Sequence, residues 1–222
     1  MTKSIILLSA GLDSLVSLGL KAKELNVELA LTFDYGQKAA EKEIEASKKI
    51  CQYYNLKHNI IKLEWLKDIT NTALVSSDDI PTEKTITSYE ESAKSVWVPN
   101  RNGLFLNIAA SYADSYNYDF IIFGANKEEA QTFPDNTQSF IDAVNNEFKT
   151  STQNHPKVVA PLINYTKNDI VMLALKNKLP LELVMSCYQS TEGHCGICES
   201  CMRLKNALIT NHDSKYIKVL FN

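Results

Sequence analysis

The sequence predicts an α/β protein with a parallel five-stranded sheet and helices on both faces. Two observations carry this reading. Short apolar runs alternate with longer amphipathic ones along most of the chain, the pattern of parallel strands joined by crossover helices. Three apolar runs also stop at small or polar turns, at Ser9 to Ser14, Asp34 to Gln37 and Gly124 to Glu129. Open parallel sheets bind ligands at the carboxyl ends of their strands, so the same turns outline a site.

In chain order, Ser4 to Leu8 reads as a buried strand, followed by a tight loop and a helix from about Asp13 to Lys23. The small loop residues let backbone N–H groups approach a ligand. The helix start adds unpaired donors and a positive dipole end, a combination suited to phosphate. Glu28 to Phe33 is the second strand, and Ala39 to Tyr54 a Lys/Glu-rich helix with Cys51 inward as a core thiol. His58 to Leu63 is the third strand. Asn71 to Ser95 is polar and breaks the rhythm, so a long loop, a lid or a segment of low order, is expected there. An alanine-rich helix covers Leu104 to Ala110. Asp119 to Gly124 holds the fourth strand, Thr137 to Phe148 a helix, Val158 to Ala160 a short fifth strand, and Lys167 to Lys178 and Glu199 to Ile209 the last helices.

With 222 residues, one core and a small appendage are expected. The net charge of -3 supplies no field favouring nucleic acid, so no nucleic-acid partner is expected. No apolar run reaches the length of a membrane span, so no membrane association is expected. The chain passes from Met-Thr-Lys straight into a strand without a cleavage pattern, and the expectation is a cytoplasmic protein.

Four of the five cysteines, Cys187, Cys195, Cys198 and Cys201, crowd into fifteen positions. Two C-x-x-C steps share Cys198, and Cys201 lies about one helical turn beyond it. Four thiolates suit tetrahedral zinc and leave no open coordination position, so the ion would be structural. An iron–sulfur cluster also takes four thiolates. Disulfides fit poorly with the expected compartment. His194 reads as a surface histidine, surplus to the set.

Ser9-Ala10-Gly11-Leu12-Asp13-Ser14 is neither a Walker A loop nor a dinucleotide fingerprint. It resembles the Ser-Gly-Gly-x-Asp-Ser loop of the N-type ATP pyrophosphatases, with Ala10 in place of glycine. If that position needs a positive φ, alanine is strained there; if it needs only smallness, alanine serves. Further motifs follow in one order: Asp34-Tyr35-Gly36-Gln37, Val98-Pro99-Asn100-Arg101-Asn102, Phe133-Pro134-Asp135, Ala160-Pro161-Leu162 with Lys167, and Ser186-Cys187-Tyr188 leading to the cysteines. Together, from about residue 4 to 210, the chain resembles the 7-cyano-7-deazaguanine synthases (QueC).

The resemblance implies an adenine nucleotide alpha hydrolase-like (HUP) fold, with an ATP-pyrophosphatase-like domain over 1–180 and a C-terminal four-cysteine zinc-binding extension over 181–222 packed on the same core. It implies that ATP activates 7-carboxy-7-deazaguanine as an acyl-adenylate, that ammonia forms the amide, and that a second ATP converts the amide to the nitrile. Leu8, Ser9, Ala10, Gly11, Leu12, Asp13 and Ser14 would bind ATP and pyrophosphate, with Mg²⁺ neutralising charge. Ser9, Asp13, Ser14 and Arg101 are the implied catalytic residues. Arg101 would pair with a carboxylate or phosphate, Gln37, Asn102 and Glu129 would read the deazapurine edges, and Lys167 would serve the phosphates. Phe133 would stack on the ring or sit in the core. Asp135 would contact ligand or cap the next helix. Members are often dimers, so a homodimer is implied.

The stretch Gln131 to Thr137 lacks the serine, glycine, cysteine and arginine common in the family, and Lys38-Ala39 replaces a basic residue and histidine. These departures leave open a relative that stops at the amide or uses another amine. A tRNA-thiolating pyrophosphatase lacks a spare exposed cysteine here. A zinc-bearing module that binds nucleotide without catalysis is the remaining reading.

Overall fold

The computed structural model describes residues 2–76, 78–82, 95–189 and 192–221. Five strands form one sheet: β1 (Ser4–Leu7), β2 (Val27–Asp34), β3 (Lys57–Lys62), β4 (Phe120–Ile122) and β5 (Lys157–Val159). Their order is β3-β2-β1-β4-β5 and every pairing is parallel. The chain winds outward from β1 to β3, then returns to build β4 and β5 on the opposite side. The direction reverses between β1 and β4, and a crevice opens at their carboxyl ends.

Helices cover both faces because strand residues alternate between two cores. Ile5, Leu7, Leu31 and Phe33 face a layer built from α4 (Arg101–Tyr116) and α5 (Gln138–Ser151). Ile6, Leu8 and Ala30 face the other layer, with α1 (Leu12–Lys21), α2 (Ala40–Tyr54) and α6 (Lys167–Lys176). Cys51 lies in that second core, where burial pushes its thiol up to about 12. Leu204, Leu208 and Leu220, from α7 (Glu199–Thr210) and α8 (Ser214–Leu220), join the same cluster as Leu15 of α1. The C-terminal segment thus packs on the core that holds the first loop.

Local signals set several boundaries. Thr166 and Asp169 form a reciprocal capping box at the start of α6. Thr137, not Asp135, caps α5 by accepting from the Phe140 N–H at 3.2 Å. That frees Asp135 from the capping alternative. The helix expected over Leu104 to Ala110 is longer: it starts at Arg101, after a left-handed Asn100, and ends at a left-handed Asn117. The sequence reading also passed over α3 (Glu64–Asp68) and α8. Both are short, and only the Asp213 side chain, accepting from Tyr216 N–H at 2.7 Å, marks the second.

Much of the long loop expected over Asn71 to Ser95 lies outside the described residues, at 77 and 83–94. Its described ends meet, with the Ala73 N–H donating to the Ser95 carbonyl at 2.8 Å. Ala73 and Ile80 pack against Cys187, Cys198 and Cys201, and Thr82 pairs with Cys198 in an antiparallel bridge. Among the described residues no helix is long and apolar enough to cross a membrane.

Candidate active site

A cleft of about 230 Å³ opens at the β1/β4 crevice. One wall is the loop after β1. The Leu8 carbonyl accepts from Thr32 Oγ1 at 2.7 Å and Ser47 Oγ at 3.4 Å, and its N–H donates to Leu31, so Leu8 anchors the loop to the sheet. Gly11 precedes α1 without a side-chain cap, and the first-turn N–H groups of a helix have no intrahelical partners. Ser14 Oγ lies 3.4 Å from Ser9 Oγ and donates to the Gly11 carbonyl at 3.0 Å. The late segment closes the loop from outside: Met185 N–H donates to the Ala10 carbonyl at 2.9 Å, and Ser186 Oγ accepts from Leu12 N–H at 3.3 Å. Gly124 at the end of β4 lies so close that a Cβ there would stand 3.0 Å from Ser14 N.

Ala10 has φ 59°, so this position does require left-handed backbone. That costs an L-residue about 1–2 kcal/mol. Glycine would relieve the strain, but it would lose a buried methyl, about 0.8 kcal/mol, and gain unfolded-state freedom, about 0.4–1 kcal/mol. The contributions nearly cancel, which explains how alanine is tolerated. Ala10→Gly should therefore stay within about 1 kcal/mol of the parent in urea unfolding. Ala10→Val, β-branched and too large for a fully buried site, should lose about 2 kcal/mol or more. A large gain from the glycine would contradict this balance.

Behind the loop sits a charged cluster. Lys167 Nζ bridges Asp13 Oδ2 and Glu129 Oε1, the latter at 3.1 Å. Asn126 Nδ2 donates to Asp13 at 3.2 Å, while its Oδ1 accepts from the Glu128 and Glu129 N–H groups at 2.9 and 3.0 Å. Burial raises Asp13 above the ordinary carboxylate range, against the pull of Lys167. Burial opposes ionisation of Glu129 as well, but there Lys167 prevails and lowers it. Burial disfavours the Lys167 ammonium, yet the two carboxylates outweigh it and hold it charged. Asp13 Oδ1 is buried and has no hydrogen-bond partner. A single carboxylate oxygen without a partner beside the loop after β1 suits Mg²⁺, which takes few protein ligands and completes its shell with phosphate oxygens and water.

Aromatic residues line another part of the cleft. Phe33 and Phe105 stack with centroids 3.9 Å apart, and Trp97 stacks with Phe133 at 5.7 Å. Arg101, the first residue of α4, donates from Nη1 to the Tyr35 hydroxyl at 3.1 Å. Burial works against its charge, but Tyr35 and Asp135 hold the guanidinium protonated. Asp135 is raised by burial and drawn down by Arg101. Asn102 reaches the Asp135 carbonyl at 3.5 Å. Gln37 lines the cleft, but its amide is engaged: Oε1 accepts from Tyr35 N–H at 3.0 Å, and Nε2 donates to Phe33 O at 3.1 Å and Glu43 Oε2 at 2.8 Å. Glu129, which the resemblance set on a ring edge, stands on Lys167 beside the phosphate loop.

The sequence reading missed Glu43 and Arg203, both of which line the cleft. Glu43 sits in the first turn of α2 among exposed charges, with no pattern to single it out. Arg203 pairs with Glu199 at 2.5 Å on α7, two residues past Cys201. The i,i+4 spacing was visible, but not the direction it faces.

The four cysteine sulfurs lie within 4.8 Å of one another. A Zn–S bond of about 2.3 Å puts tetrahedral sulfurs about 3.8 Å apart, and Cys195 and Cys201 stand at 3.9 Å. The cluster suits a metal ion such as zinc. Backbone N–H groups of Gln189 and Cys195 point at Cys187 Sγ from 3.4 and 3.5 Å, and that of Cys198 at Cys195 Sγ from 3.3 Å. His194 stands outside the cysteine set and is half-buried: its Nε2 accepts from Ser186 N–H at 3.1 Å, and its ring packs on Phe221.

Residues 3–212 match the family described as queuosine biosynthesis protein QueC. The chain belongs to the QueC family. Among its relatives, a protein of Methanosarcina barkeri named 7-cyano-7-deazaguanine synthase is 48% identical over 214 residues, covering 92% of this chain and 93% of that one. A protein of the same name from Carboxydothermus hydrogenoformans is 51% identical over 211 residues, covering 93% and 98%. A solved NH3-dependent NAD synthetase from Campylobacter jejuni is 17% identical, spans 98% of this chain and 78% of its own, and has a TM-score of 0.50. At that identity it shares the fold alone. The QueC match spans both the loop after β1 and the cysteine cluster.

Proposed function

We propose that this QueC-family chain converts 7-carboxy-7-deazaguanine and ammonia to 7-cyano-7-deazaguanine, consuming ATP through an acyl-adenylate and an amide. The observation that carries the reading is the joining of two parts in one cleft. A phosphate loop with buried Asp13 and Lys167 meets an aromatic-lined region holding a charged Arg101. The relatives' shared name supplies the product, and the carboxylate substrate is carried over from the resemblance.

In this reading the α1 N-terminus, Ser9 and Ser14 hold the departing pyrophosphate by fixed N–H and hydroxyl donors. Asp13 and the phosphate oxygens would hold Mg²⁺, which would offset the charge developing on the phosphates. Lys167 places a fixed positive charge beside them. Arg101 and Asn102 orient the acceptor, with Phe133 and Trp97 against its ring and Asp135 reading a polar edge. The cysteines hold a structural zinc ion, whose closed shell takes no part in the chemistry. ATP, the carboxylate and ammonia are the only partners the reaction needs, and a homodimer is the assembly carried over from the resemblance.

Mass spectrometry of products from Mg-ATP, ammonium and the carboxylate tests the reading. Nitrile with AMP and pyrophosphate is expected. Amide alone would replace it with a relative that stops at the amide, a role the unusual 131–137 stretch permits. No AMP would sink it.

A further inference from the structure

All three protons of ammonia leave nitrogen on the way to a nitrile, so the proposed reaction needs a proton acceptor in the cleft. Among the described residues no histidine lines it. Five carboxylates do, and four are committed. Asp13 and Glu129 pair with Lys167, and Glu199 pairs with Arg203. Asp135 faces Arg101 and accepts from Asn136 Nδ2 at 3.2 Å and from the backbone at Asn102, whereas among the described residues no backbone group bonds the Glu43 carboxylate. Glu43 differs. Among the described residues its side-chain hydrogen bond is from the neutral amide of Gln37, through Oε2. Gln37 is itself locked by Tyr35 N–H and Phe33 O, so Glu43 is held at the cleft wall through Oε2.

We propose that Glu43 is the general base that removes the N–H protons during amide and nitrile formation. This rests on the reaction given above. In the first step the new C–N bond forms as the C–O bond to the adenylate breaks. AMP leaves with the electron pair, and one nitrogen proton passes to Glu43 Oε1. In the second, the amide oxygen displaces pyrophosphate from ATP as one proton leaves nitrogen. The C–O bond then breaks, AMP departs and the last proton follows. Glu43 is only partly buried, so it discharges each proton to water between steps. Burial raises it from 4.5 to about 6, opposed by the Gln37 hydrogen bond and the Arg101 charge and aided by Asp34. A base in that range accepts protons efficiently near neutrality.

The test compares Glu43→Gln and Glu43→Asp with the parent in two assays. The first is ATP–pyrophosphate exchange with the carboxylate, which transfers no proton from nitrogen. The second is nitrile formation from the preformed amide, which removes two. Glu43→Gln should keep the exchange and lose the nitrile step by about 10²-fold or more, with Glu43→Asp recovering part of it. The parent's nitrile rate should fall as pH drops through about 6, and that limb should vanish in Glu43→Gln. A glutamine variant that makes nitrile at the parent rate overturns the proposal. One that loses exchange as well overturns it in favour of a binding role. A parent without exchange overturns the underlying reaction, and this proposal with it. Folding is not the weak point: because the folded value lies above 4.5, ionised Glu43 costs stability as pH rises from 4.5 to about 6. The neutral variant should therefore melt no lower at pH 7.

Discussion

Lys167→Met should lower ATP–pyrophosphate exchange by about 10²–10³-fold, the usual cost of losing one fixed donor beside developing charge. It should also destabilise the fold. Lys167 is 14% exposed and bridges Asp13, equally buried, to Glu129. Removing one partner of a buried pair costs about 3–5 kcal/mol, because the remaining charge is stranded. Adding Asp13→Asn to Lys167→Met removes much of that stranded charge, so the double variant should regain part of the stability and none of the activity. Urea unfolding and exchange on the parent, Lys167→Met, Asp13→Asn and the double variant separate the two effects. Exchange that survives in the single variant would place the phosphates elsewhere.

If the cysteines hold zinc as proposed, removing it should be nearly as damaging, although none of the four lines the cleft. Cys198 is the N-cap of α7 and Cys201 lies in its first turn, while Glu199, Ser200 and Arg203 on the same helix line the cleft. Cys201→Ser should abolish stoichiometric zinc. Loss of a structural metal belongs with the largest single-site effects, on the order of 4 kcal/mol or more. At about 2–4 °C per kcal/mol, the melting temperature should fall by roughly 10 °C. Activity should disappear below that melting point too, since α7 no longer holds Arg203 and Glu199 in place. Metal analysis, calorimetry and AMP release would be read together. A zinc-free variant with parental AMP release would show that the centre and the cleft are independent.

The parts of this architecture that the sequence made legible share one property: each has a local cause. Ser4 to Leu8 and Asp119 to Gly124 are apolar on both faces, so they announced central strands. Cys195, Cys198 and Cys201 are spaced by the turn they occupy. The helix from Lys167 starts behind a cap of Thr166 and Asp169, all within four residues. What escaped depends on distant chain. Glu43 looks like any helix-surface glutamate, and only the Gly36 turn, at φ 82°, together with Gln37 brings it over the cleft. Arg203 enters the site because α7 packs against α6, with Leu204 and Leu208 in the second core. The alternation at α2 reported a helix correctly but not which charge it buries. Ala10 was readable as a question, and its backbone angle supplied the answer.

The bond from Leu12 N–H to Ser186 Oγ joins positions 174 residues apart. Contacts of such sequence separation form late, because the chain entropy of closing the loop is lost before the contact repays it. The earliest-made loop of this protein is thus finished by one of its last-made segments. A ribosome-bound chain that has already exposed β1 to β4 still lacks the strap across the loop, and it lacks Lys167 as well. Nascent chains stalled before residue 186 should fail to protect bound nucleotide, even where the sheet has begun to assemble. The order of synthesis then acts as a safeguard: no half-made molecule can spend ATP on an acyl-adenylate that it has no means to complete.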